Sequence, residues 1–330
     1  MYLVSTSSNW NVGDDLIREG VFRILGLSPW ETTMWLNRCQ VIYPKSRRGW
    51  TALWKVLRNQ PGLKDIIPHA KAFILAGTPE RLHTLEEVYE LCLKHSTPIW
   101  LIGVGMPQPG HRLLKKCRRR GLVSRASVRD DLATETLKKA GIQHEWFLDP
   151  AFHAQYDAAR EKSLDVFLTY KMNPSEPSAD TAYLETYRRF ADRIDMVVVH
   201  HPDEYPHARE LFGTEVYYSS DYQDLKDLYA SCRCLITNRI HSAAPALRNG
   251  AEVHFFHSIK KHRMVEIWSE KLLEAVSPDP IPLHLYGFEE WDRIELDQAY
   301  DWKRLEQYFL EDLEAHSGFV RMHVKRDKET

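Results

Sequence analysis

Arg239 and His241 stand two residues apart in the stretch "LITNRIHSAAPALRNG", residues 235–250, where an apolar strand gives way to a helical segment closed by Gly250. Arginine is a permanent cation whose planar fork meets a carboxylate or phosphate with two hydrogen bonds. Histidine can hold or release a proton near neutral pH. If the strand runs as far as His241, both side chains share one face. The helix expected from about Ser242 to Asn249 adds N-terminal amides that favour an anion. Together these groups suit an anionic ligand whose reaction needs a proton. An arginine paired across a domain interface is the bland alternative.

Three further strand-to-helix junctions carry unusual polar residues. In "NWNVGDDL", residues 9–16, Asn11, Gly13, Asp14 and Asp15 open the first helix. Capping accounts for one acidic residue there. The spacing is not GxGxxG and two carboxylates repel a phosphate, so the functional reading is sugar hydroxyls or a general base. In "SRASVRDDLATETLKKAGI", residues 124–142, Arg125, Ser127 and Arg129 alternate along one strand face, Asp130 or Asp131 caps the next helix, and Gly141 is placed to stop it. Taken alone, Arg129 reads as half of a structural ion pair. In "VVVHHPDEYPH", residues 197–207, His200, His201 and His207 lack metal-ligand spacing. They read as hydrogen-bonded loop residues, with His201 a neighbour of the anion site. Neither a metal nor a cofactor is expected.

The elements that must hold these junctions alternate throughout. Short apolar runs such as "YLVST", "QVIYP", "AFILAG", "PIWLIGVG", "LDVFLTY", "DMVVVHH", "RCLITN" and "AEVHFF" are separated by amphipathic stretches. Continuous apolar strands between helices argue for parallel sheets covered on both faces. The reading is an α/β chain of two Rossmann-like, doubly wound domains facing a cleft, residues 1–155 and 160–285. A helical tail, residues 286–330, packs on them. Ligands in such sheets gather at the carboxyl ends of the strands, which is where all four junctions fall.

Composition narrows the function classes. The chain has 330 residues, 44 basic and 46 acidic, for a formal net charge of −2. No basic excess marks a nucleic-acid binder, and no apolar run approaches the roughly 20 residues of a membrane span. The start lacks the pattern of a signal peptide. Five scattered cysteines give no disulfide framework, so a cytoplasmic setting is expected, with the inner face of the membrane as a peripheral option. Lys115, Lys116, Arg118, Arg119 and Arg120 crowd one helix. They read as an exposed face, with an anionic membrane or a lipid-linked acceptor as the alternative partner.

"NVGDD", "PIWLIGVGMP", "VSRASVRDDLATETLKKAGI" followed by "FLDPAF", and "LYASCRCLITNRIHSAAPALRNGAEV" together resemble the polysaccharide pyruvyl transferase family, over roughly residues 11–256. The resemblance implies a GT-B-like pair of domains. It also implies transfer of the pyruvyl group of phosphoenolpyruvate onto two hydroxyls of a sugar, giving a cyclic ketal and phosphate. By that resemblance Arg129, Arg239 and His241 hold the donor, while Asn11, Gly13 and Asp14 lie near the acceptor. One departure stands out: "AGTPE", residues 76–80, replaces a glycine cluster. On this reading His241 protonates the donor's methylene carbon as general acid. Asp14 or Asp15 takes the acceptor proton. Ser242, His201 and Lys261 support the donor. A GT-B glycosyltransferase using a nucleotide sugar is the competing reading. A non-catalytic carbohydrate-binding protein on the same fold is the other.

Overall fold

The computed structural model describes residues 1–6, 12–28, 31–36, 63–77, 82–105, 111–123, 125–156, 162–172, 178–213, 216–219, 221–256, 263–277 and 279–326. Asn11, Lys261, "QVIYP" and the Thr78–Pro79–Glu80 part of "AGTPE" lie outside them. Contacts divide the chain into two units. One comprises Met1–Asn9, Leu25–Phe147 and Phe319–Thr330, the other Trp10–Ile24 and Leu148–Gly318.

The first unit is built on a parallel sheet of β1 (Tyr2–Thr6), β2 (Thr32–Leu36), β3 (Phe73–Gly77), β4 (Ile99–Val104), β5 (Arg125–Val128) and β6 (Gln143–Trp146), in the order β2-β1-β3-β4-β5-β6. All five residues of β3, "FILAG", are buried. That explains a continuous apolar run where a half-exposed strand would alternate. Edge strand β6, "QHEW", does alternate between exposed and half-buried positions. The basic helix, His111–Arg119, buries Leu114 and Cys117, and its cations face solvent.

The second unit carries β7 (Leu164–Thr169), β8 (Ile194–Val199), β9 (Val216–Tyr218), β10 (Cys232–Thr237), β11 (Glu252–Phe256) and β12 (Leu283–Tyr286), in the order β12-β11-β10-β7-β8-β9. Every neighbouring pair is parallel. The chain moves outward from β7 through β8 to β9, then returns to β10 on the other side. The point between β7 and β10, where winding reverses, is where doubly wound sheets open a crevice for ligands. Thr169 and Thr237 end the two strands there and bond to each other through their hydroxyls.

The domain limits differ from those expected. Helix α1 (Val12–Leu25) packs with the second unit, and that unit resumes at Leu148 rather than after residue 155. The reason is a tight contact. A methyl group built on Gly20 would stand 1.7 Å from the carbonyl oxygen of Pro150, so α1 lies directly on the "DPAF" turn. Asp149 caps that turn by accepting from the Ala151 amide at 2.8 Å. Phe152 anchors it, edge-on to Trp268 at 4.8 Å and stacked with Phe309 at 5.3 Å. Truncating so buried a phenylalanine costs about 3–5 kcal/mol.

Candidate functional site

The switch point of the second sheet brings together His200, His201, Arg239 and Ser242. The strand preceding Arg239 ends at Thr237, and helix α2 (Ile240–Arg248) begins earlier than expected. Arg239 is therefore the helix N-cap and His241 lies inside the first turn. The two side chains do not share a strand face, and their contacts diverge.

His241 points toward α1. A methyl on Gly13 would lie 2.2 Å from His241 Nδ1 and 2.7 Å from its Cβ, so the ring rests on the bare backbone of the N-terminal motif. Its Nε2 faces Asp149 Oδ2 at 3.7 Å, an ion-pair separation beyond hydrogen-bond length. Asp149 is fully buried and His241 is 22% exposed, so the ring alone reaches solvent. Asp14 and Asp15 sit in the first turn of α1, where carboxylates favour the helix dipole. Neither precedes the helix, which begins at Val12, so neither is its cap. Asp14 is buried. Asp15 pairs with Arg18 at 2.6 Å, and burial raises its basicity against that pairing.

Arg239 turns the other way. Its Nη2 pairs with Glu204, and Nε and Nη2 donate to the carbonyl oxygen of Tyr170 at 3.3 and 3.2 Å. Glu204 also accepts from the His201 amide at 3.2 Å. The guanidinium is 8% exposed with its charge already balanced, so the expected donor-binding cation is an internal clasp. It ties the end of β7, the loop after β8 and the start of α2 together. Ser242 is likewise an internal group rather than a donor contact. It is fully buried, its hydroxyl 2.8 Å from Tyr229 OH and 3.4 Å from His200 Nε2. His200 also bonds Tyr229 directly. Burial, then the nearby Arg239 charge, hold the His200 ring neutral far below the ordinary histidine range. The same two causes lower His201.

Arg129 belongs to the first unit. It follows the last residue of β5, is 4% exposed and packs over Gly105, where a methyl would meet its Nε at 2.5 Å. Asp130, not Asp131, caps the following helix, accepting from Ala133 N at 2.8 Å, and Gly141 stops it with φ 71°. The punctuation read from sequence is what the structure has.

Four contributors escaped the sequence reading. Asp149 lies in "FLDPAF", where an aspartate before a proline signals only a turn. Glu204 follows His201 by three residues, the spacing at which a side chain returns to a loop amide. Tyr229 looks like any helical core aromatic. Lys171, exposed just after β7, acts electrostatically on both His200 and His201. Among the described residues, two clusters could present ligands to a metal: His153 with Asp312 and His316, and Cys234 with Glu252 and His254. In the first, His153 Nε2 lies 2.9 Å from Asp312 Oδ2. In the second, burial pushes the Cys234 thiol well up, which disfavours the thiolate a metal needs.

The sequence profile described as "Polysaccharide pyruvyl transferase" matches residues 11–256, which hold both the Gly13 and the His241 motifs. The chain belongs to the polysaccharide pyruvyl transferase family. No curated protein matches it in sequence. Among solved structures, this pyruvyl transferase family member is similar to UDP-GlcNAc 2-epimerase from Neisseria meningitidis bound to UDP-GlcNAc. That likeness has a TM-score of 0.51 at 9% identity, over 99% of this chain and 100% of the other. It is also similar to S. aureus MnaA in a UDP co-structure, at TM-score 0.53 and 11% identity, over 94% and 87%. Anabaena Alr3699/HepE in complex with UDP and glucose gives 0.53 and 8%, over 99% and 100%. At these identities the likeness shows the fold: two Rossmann-like units of the GT-B type. Among the described residues of this transferase, no helix is long and apolar enough to cross a membrane.

Proposed function

We propose that this transferase moves the pyruvyl group of phosphoenolpyruvate onto two hydroxyls of a sugar in a polysaccharide or its precursor, with His241 as general acid. The observation that carries this reading is the placement of His241. Its ring sits between Gly13 of the N-terminal motif and the buried Asp149, with an edge open to solvent. A histidine so held presents one proton in a fixed direction, and the Asp149 carboxylate offsets the imidazolium charge.

The balanced reaction assigns each proton. His241 protonates the methylene carbon, which becomes the methyl group and leaves the central carbon electrophilic. One sugar hydroxyl adds there, the bond from that carbon to the phosphate oxygen breaks, and the second hydroxyl closes the ketal. Of the two hydroxyl protons, one restores His241 and the other leaves with phosphate. Asp14, buried one residue from Gly13, is the base we assign to the first hydroxyl; it hands that proton to the departing phosphate, and the second hydroxyl's proton restores His241. The donor's negative charge meets the first turn of α2, which has no side-chain cap, and Lys171. Arg239 acts by holding that turn in place.

The test is incubation with phosphoenolpyruvate and pyruvylatable glycans, following phosphate release and the ketal methyl resonance. Phosphate release that depends on the glycan supports the reading. Turnover of UDP-sugars with no use of phosphoenolpyruvate would replace it with glycosyl transfer.

A further inference from the structure

We infer that a cavity at the amino edge of the second unit's sheet is a binding site for a small phosphate ester carrying a sugar ring, distinct from the His241 site. The inference rests on the cavity's own residues and not on the pyruvyl transfer proposed above. The cavity has a volume of about 580 Å³, within the usual range for a small-molecule site.

Two helices deliver two of its cations. Helix α1 carries Gly13 in its first turn, under the His241 ring, and brings Arg23 to the cavity in its last turn. Helix α2 carries His241 in its first turn and Arg248 in its last. Each cation alone is what a helix C-terminus favours. That preference does not explain two guanidinium groups lining one cavity. Burial lowers the basicity of Arg248, Glu306 opposes this, and Arg23 adds its repulsion. Lys162 and Arg233 line the same space. Lys162 is fixed by donating to the carbonyl oxygens of Ala230 and Asn249 at 3.1 and 2.5 Å.

The carboxylates that line the cavity are largely engaged. Glu252 accepts from Tyr300 OH at 2.6 Å and from the Asp297 amide at 3.1 Å. Asp297 itself makes two bonds to Arg193, at 2.7 and 2.9 Å. That leaves Glu306 facing Arg248. A dianionic phosphate between Arg23 and Arg248 would relieve their repulsion with forked hydrogen bonds. Trp302, packed 3.7 Å from where a Gly250 side chain would begin, and Tyr156 offer aromatic faces for a sugar ring.

The experiment is calorimetric titration of the full chain with glucose 1-phosphate, with glucose and inorganic phosphate as comparisons. Saturable binding of glucose 1-phosphate is expected in the unaltered chain and in His241→Ala, with at least a tenfold loss in the double variant Arg23→Gln/Arg248→Gln. Glucose alone should not bind, and inorganic phosphate should compete. Undiminished binding in the folded double variant, or loss in His241→Ala instead, overturns the site, as does absence of binding at about millimolar ligand. Arg248→Gln alone, its fold checked by circular dichroism, supplies a second reading: glucose 1-phosphate binding should weaken less than in the double variant, and undiminished binding overturns the proposal.

Discussion

The imidazole of His241 lies on the α-carbon of Gly13, so closely that a single added methyl would stand 2.2 Å from Nδ1 and 2.7 Å from the histidine Cβ. Because the Cβ is among the atoms met, rotating the ring cannot clear the clash. Gly13→Ala must therefore shift either α1 or the first turn of α2. A displacement near 1 Å at a reacting group costs on the order of 100-fold in rate. Glycan-dependent phosphate release by Gly13→Ala should fall by about that factor. A fully active alanine variant would show that the ring need not stay where the structure has it.

His241→Gln removes the transferable proton while keeping a polar side chain of similar reach. General acid catalysis contributes roughly 100- to 10,000-fold, so kcat should drop within that range. Glutamine refills most of the space of a ring only 22% exposed, so the melting temperature should change little. Asp149→Asn keeps an oxygen to cap Ala151 but removes the charge 3.7 Å from Nε2. It should lower kcat by less than the histidine change, with the fold intact by circular dichroism. An Asp149→Asn enzyme slower than His241→Gln would move the proton-transfer role toward the carboxylate.

The sequence made some of this architecture plain and concealed the rest for physical reasons. A strand buried along its whole length, such as "FILAG", announces itself because every position is apolar, and "LDVFLT" does so over its buried "VFL". β2, "TTMWL", and β12, "LHLY", were not anticipated. Both close an edge of their sheet, and short runs with polar or histidine positions look like loops. The grouping of α1 with the second unit is invisible locally, because it depends on Gly20 meeting Pro150, 130 positions along the chain. The four junctions were found since ligands gather at strand ends. What each side chain does there was harder to read. Arg239 and His241 were expected side by side, but the strand stops at Thr237, and two residues of helical turn separate their directions. Glu204, the partner that neutralises Arg239, lies 35 residues away.

That partnership makes a separable prediction. Arg239→Gln would leave the Glu204 carboxylate, 7% exposed, without its cation, and breaking a buried pair from one side costs about 3–5 kcal/mol. Urea unfolding of Arg239→Gln should show a loss of that size. Adding Glu204→Gln should recover most of it, since two neutral amides no longer carry a buried charge. Arg239→Lys should rank between them, because an ammonium cannot copy the fork that reaches Glu204 and Tyr170 O at once. Equal losses in the single and double glutamine variants would mean that Glu204 is not what Arg239 holds.

Acid should destabilise the protein in a window set by its buried histidines. Burial, followed by the Arg239 charge, keeps His200 neutral well below its ordinary range. Burial, followed by His153, does the same to His316. In the unfolded chain both titrate near pH 6.5. As pH falls through that value the unfolded state takes up protons that the native state refuses, so stability is fully present above it and declines below it. The slope approaches about 1.4 kcal/mol per pH unit for each such histidine. Glu252 does not contribute in this window. Burial raises its pKa, but hydrogen bonds from His254, His284 and Tyr300 together outweigh that and hold it below the ordinary carboxylate range, so its loss comes at lower pH. Urea midpoints should therefore fall between about pH 7.5 and pH 5.5. His200→Gln, which keeps a polar contact for Tyr229 without a titrating ring, should flatten that fall by roughly one proton's share. A midpoint independent of pH over this range would mean that these rings accept protons without unfolding.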